Sequence, residues 1–98
     1  MMTKSYKARL AEIEAELIDG IAEERKRKGF TEEELSKKLG ASSNLMNKLE
    51  AHTRGLEAAL LVMLAEAMNM SEGTLVQRAK SHAKKARGGQ PSSKNVKD

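Results

Sequence analysis

The stretch "TEEELSKKLGASSNLMNKLE", residues 31–50, constrains the fold more than any other part of the chain. Leu35 and Leu39 lie four residues apart, Gly40 interrupts, and Met46 and Leu49 resume three apart. Two short helices therefore each offer a narrow apolar face. Thr31, with Glu34 three residues on, makes a capping box that starts the first helix, and Gly40 closes it. Ser42 is expected to cap the second. Helices this short are not stable alone, so the flanking chain has to cover both apolar faces.

The flanks read as further helices. Tyr6, Leu10, Ile13, Leu17 and Ile21 form one stripe on a helix from Ser5 to Lys28. Asp19-Gly20 is expected to kink or split it, and Gly29 to end it in a left-handed cap after a basic last turn. Leu56 to Met68 is apolar nearly all round and is expected to be the central helix. Ser71 caps a fifth, running to about Lys85 and becoming basic. Tyr6 and Phe30 are the only aromatic residues, β-branched residues are few, and the only proline is Pro91. The fold class is thus all-α, with five helices. A chain of 98 residues supports one folded body. We divide it into an N-terminal helical extension (1–18), a body (19–85) and a flexible basic tail (86–98). The tail, "RGGQPSSKNVKD", is too polar and too rich in Gly, Ser and Pro to fold unaided.

Several function classes fall away. There is no cysteine, which excludes disulfides and thiolate metal sites. No apolar run approaches the roughly 20 residues of a membrane span, and "MMTKSYKARL" lacks a secretion signal's apolar stretch. A cytoplasmic protein is the simplest expectation. His52 and His82 stand apart in the sequence without paired ligands, and no glycine-rich phosphate loop follows a strand. No catalytic residue, metal or cofactor is expected. Charge is uneven instead: residues 25–56 carry eight cations against four carboxylates, and residues 77–98 seven against one. The segments 1–24 and 57–76 are net acidic. Positive charge gathered in this way suits a surface facing a polyanion.

Two short helices joined through a glycine make a helix-turn-helix. Arg25 to Val76, with "RKRKGFTEEELSKKLGASSNLMNKLE" and "LLVMLAEAMNMSEGTLV", resembles the lambda-repressor/Cro-type helix-turn-helix family, also called the XRE family. Leu35, Ser36, Leu39, Gly40, Ala41, Met46 and Leu49 occupy positions where that family has those residue types. The resemblance covers about half the chain and implies a five-helix lambda-repressor-like domain. In it, Ser36 is small because the next helix crosses close above. The family commonly has glutamine where this chain has Glu32, and Asn-Gly then Pro where it has "AHTRGLE".

What the resemblance implies for function is sequence-specific DNA binding, with a third helix from about Ser43 to Ala51 in the major groove. Base reading falls on Ser43, Asn44 and Asn47, with Lys48 alongside. Asparagine bonds bidentately to adenine, serine adapts to several edges, and lysine reaches guanine or phosphate. Leu45 is placed to meet a thymine methyl. The plainer reading is that Ser43 and Asn44 satisfy a helix start. Backbone docking falls to Lys37, Lys38, Thr53 and Arg54. The "RKRK" run at 25–28 is read either as a patch that steers the protein electrostatically or, the preferred reading, as complementing the dipole of the first helix. The tail lysines are read as sequence-independent phosphate contacts or idle solvated charge.

The stripe from Tyr6 to Leu17 wants a partner, either its own body or a second copy. A homodimer on an inverted-repeat operator is expected, through this stripe or the fifth helix. The regulatory outcome is read as repression, and a mobile genetic element as the source by resemblance. Two alternatives use the same fold. One is an antitoxin binding a toxin through its tail or first helix. The other is a protein-interaction module that has lost DNA and contacts another regulator.

Overall fold

The computed structural model describes residues 5–88, with side chains described through Lys84. It contains five helices in chain order: α1 (Tyr6–Arg27), α2 (Glu32–Lys38), α3 (Leu45–Glu50), α4 (Ala58–Ala67) and α5 (Glu72–Gly88). Among the described residues there is no strand, so the chain is all-α as its composition requires. No single helix among them is long and apolar enough to cross a membrane. Most of the expected tail lies outside the described residues.

Four of the five helices end in the same device. Gly29, Gly40, His52 and Asn69 each take positive φ, between 61° and 86°. In each case the next residue's N–H reaches back six residues, inclusive: Phe30 to Arg25, Ala41 to Ser36, Thr53 to Lys48 and Met70 to Ala65, at 2.9–3.2 Å. This reversal satisfies carbonyls that the helix leaves open and turns the chain sharply. The helix starts are equally local. Ser5 and Ser71 accept the N–H groups of Ala8 and Thr74, and Thr31 and Glu34 complete the reciprocal capping box.

The core is one cluster drawn from every helix: Ile18 and Ile21, Leu35, Met46 and Leu49, Leu60 and Leu64, Leu75 and Ala79 among them. α1 packs chiefly on α5, and α2 on α3. Three expectations are corrected here. Asp19-Gly20 does not split α1, which runs without interruption through residue 20. Gly20 is there for a different reason. A Cβ on it would lie 2.2 Å from the Ala79 carbonyl oxygen of α5, so the glycine permits a close crossing of α1 and α5. α4 is not wrapped on all sides: Leu60, Leu64 and Ala65 are buried, but Met63 is 43% exposed, so the helix lines the core rather than crossing it. It is also shorter than Leu56–Met68, starting after Glu57.

The third correction concerns α3. It spans Leu45–Glu50, not Ser43–Ala51, and Ser42 is not its cap. Ser43 and Asn44 form a turn, Asn44 is the boundary residue, and neither supplies a side-chain cap. The Ser42 hydroxyl donates instead to Asn44 Oδ1 at 2.8 Å.

Candidate nucleic-acid interface

With no cap of its own, α3 is capped by another helix. Ser36, fully buried on α2, accepts the Met46 N–H at 2.9 Å and donates to the Glu32 carbonyl at 2.8 Å. The hydroxyl thus satisfies an orphan donor in the first turn of α3 and fixes that helix on α2. A small residue at 36 is legible in the sequence; its capping role is not, because the two residues are ten apart in the chain.

This bracket turns Met46 and Leu49 inward and leaves Ser43, Asn44, Asn47 and Lys48 exposed. Asn44, Asn47 and Lys48 share one face by their spacing of three and four. Lys48 makes no ion pair with any described carboxylate. Leu45 departs from expectation: it is half-buried and packs against the core rather than standing apolar on a wet face.

The far end of α3 is braced by a charge that sequence reading missed. Arg25 of α1 is buried, and its Nε and Nη2 donate to the two oxygens of Glu50 at 2.7 and 3.0 Å. Its Nη1 donates to the Phe30 carbonyl at 2.6 Å. This fork offsets a carboxylate at the negative end of α3, where it is otherwise unfavourable. The "RKRK" run is therefore not a uniform basic patch. Arg27 bonds Glu24, Lys26 lies 3.2 Å from Glu23, and Arg25 is spent inside the fold.

The expected backbone-docking residues are scattered. Lys37 pairs with Glu33 at 3.2 Å on the exposed face of α2, an exposed pair that other anions displace easily. Lys38, two residues past Ser36 and so about 200° around the helix, lies over the Phe30 ring at 5.9 Å. It lines a groove with Met63 and Glu66, away from α3. The Thr53 hydroxyl donates to the Lys48 carbonyl at 2.9 Å, which commits its proton to closing α3. Arg54 bonds Glu57 at 2.8 Å and lines a hollow beside Ala11, Ala15 and His52. Of the eight sequence candidates, Ser43, Asn44, Asn47 and Lys48 come together on one surface, with Lys37 on the adjoining helix.

Glu32 is the acidic member of that surface. Asn47 Nδ2 donates to Glu32 Oε1 at 3.4 Å, a long bond between exposed groups. The Glu32 carboxylate is held below its usual range, chiefly by its interaction with Glu50 and then, against the cost of burial, by Asn47 and the Arg25 charge. Burial pushes the Glu50 carboxyl up, opposed by the Arg25 bonds. Glu32 therefore carries full negative charge beside the amide that would read bases. His52 and His82 each face one carboxylate, Asp19 at 2.9 Å and Glu24 at 3.2 Å. Among the described residues, no three His, Asp or Glu side chains converge as a metal site needs. Comparisons of the chain with protein-family models, curated proteins and solved structures found no match.

Proposed function

We propose that this chain is a sequence-specific DNA-binding regulator of the lambda-repressor/Cro type. α2 and α3 act as a helix-turn-helix. α3 and the turn before it enter the major groove, where Asn44 and Asn47 read base edges, Ser43 adapts to them, and Lys48 reaches guanine or phosphate. Lys37 neutralises phosphate at the flank, and regulation is by occupying promoter DNA as a homodimer on an inverted repeat. The observation that supports this most is the Ser36 bracket across α2 and α3, which holds a rigid helix with amides and an unpaired lysine outward.

The test is selection of bound duplexes from a random pool, followed by fluorescence anisotropy on the consensus. Asn44→Ala and Asn47→Ala are each expected to cost roughly 1–3 kcal/mol of binding and to relax preference at one position per half-site. Parent-like affinity in both variants removes the assigned base contacts.

One observation favours a second reading. The charge of Glu32, 3.4 Å from Asn47, suits a protein partner's cation better than a phosphate. A protein-interaction module that no longer binds DNA would enrich no duplex in the selection.

A further inference from the structure

The sequence left open whether the N-terminal stripe covers its own body or meets another molecule. In the structure its first three members do not fold back, and only Leu17 packs partly against the core. Tyr6 is 80% exposed, Leu10 51% and Ile13 38%, and these are three of the four large apolar side chains that stand exposed among the described residues. Leu10, Ile13 and Leu17 of the stripe line a groove of about 330 Å³ together with Glu14 and Leu56. An exposed apolar face of this kind can meet its own copy across a two-fold axis.

The charges around the stripe choose the occupant. Tyr6, Leu10, Ile13 and Leu17 alternate by four and three, which is the seam of a two-helix coiled coil. Lys7 and Glu14 flank one side of the seam, and Arg9, which bonds Glu12 of its own helix at 3.0 Å in an exposed pair, flanks the other with Glu16. Reversing a second copy about a two-fold axis pairs Tyr6 with Leu17 and Leu10 with Ile13. The same operation sets Lys7 against Glu14 and Arg9 against Glu16. The face is self-complementary in shape order and in charge, as an isologous contact must be.

Space selects the same direction. From residue 18 onward one face of α1 is buried in its own body, and α1 packs chiefly on α5. Antiparallel pairing over residues 6–17 puts the two bodies at opposite ends of the seam, whereas parallel pairing drives both into the same end. We infer that the N-terminal half of α1 is the homodimer interface, pairing antiparallel with the same half-helix of a second copy. This deepens the DNA reading by naming the surface that joins two half-site readers. Each α3 rides with the seam, since its exit loop is tied to α1 by Glu14, which accepts the Leu56 N–H at 2.7 Å, and by Asp19 on His52.

Sedimentation velocity on the full chain without DNA, across a concentration series, tests it. The parent is expected to dimerise reversibly. Leu10→Glu, at an exposed position, should raise the dimer dissociation constant at least tenfold while helical circular dichroism stays unchanged. Arg9→Glu and Glu16→Arg should each weaken pairing severalfold, and an equimolar mixture of the two should recover it, because only the mixed antiparallel pair restores both attractions. A parent that stays monomeric, a Leu10→Glu variant that pairs like the parent, or a mixture that fails to recover overturns the inference. Because no DNA is present, a dimer that later selects no duplex sinks the DNA reading and leaves the interface standing.

Discussion

Glu32 opens α2, where a carboxylate stabilises the helix start through the aligned peptide dipoles. The same charge lies beside the surface where phosphate would dock in the proposed function, so the fold and that proposal pull this residue in opposite directions. Glu32→Gln keeps an oxygen for Asn47 Nδ2 and removes the charge. We expect it to tighten duplex binding by about three- to tenfold at low salt. The gain should shrink at high salt, where the repulsion is screened. It should also cost a few tenths to roughly 1 kcal/mol of stability. Anisotropy at two salt concentrations checks both signs, and unchanged affinity would mean that Glu32 lies away from the DNA. At this scale the site was half legible. Asn44, Asn47 and Lys48 are readable as exposed from their spacing against Met46 and Leu49. The Glu32–Asn47 contact is not, because it spans a turn whose geometry the sequence signals only as a glycine.

Helices declare themselves where their determinants are local. The capping box at Thr31 and Glu34, the left-handed Gly29 and Gly40, and the Ser71 cap all act within one or two helical turns, and all are present as the sequence implies. His52 and Asn69 perform the glycines' task without being glycines, so those two ends carried a weaker signal. Elements misread from sequence are those set by a distant neighbour. Ser42 looked like a cap, but the first turn of α3 is satisfied by Ser36. Gly20 looked like a helix breaker, but it is a crossing point. That difference is measurable. Gly20→Ala places a Cβ 2.2 Å from the Ala79 oxygen and 2.5 Å from the Ala79 Cα, both backbone atoms that cannot step aside. It should cost about 3 kcal/mol or more, because α1 and α5 must separate. Gly40→Ala meets no atom within 4 Å and has only the left-handed backbone to bear, roughly 1–2 kcal/mol. Urea denaturation of the two variants orders them, and equal losses would mean that α1 and α5 pack less closely than described.

Across the whole molecule, α1 is fastened by two buried charges that reach different helices. Arg25 reaches α3 through Glu50, and Glu24, fully buried, gathers Arg27 with His82 and Arg78 of α5 at 3.2 and 3.8 Å. Apart from the local Glu24–Arg27 pair, these ties link residues 25 to 58 apart in the chain, too far for any local pattern to announce. The adjacent Glu24-Arg25 pair looks in sequence like ordinary helix-surface charge. The Arg27 hydrogen bonds hold the Glu24 carboxyl below its ordinary value of 4.5, against the opposing effect of burial and with help from His82 and the Arg78 charge. A lowered folded value means that the unfolded chain takes up the proton first. The Glu24 contribution is therefore complete above 4.5 and drains away as pH falls through the lower folded value. Glu50 runs the other way, since burial raises its folded value and protonation favours the fold. The parent's acid limb mixes both, and a variant is needed to separate them. Glu24→Gln should lower Tm most near neutrality, and the gap to the parent should close as pH drops below 4.5. Thermal melts of both proteins across the acid range read this directly. A gap that stays constant with pH would show that Glu24 holds α1 to α5 by packing, and that its charge has no share in joining them.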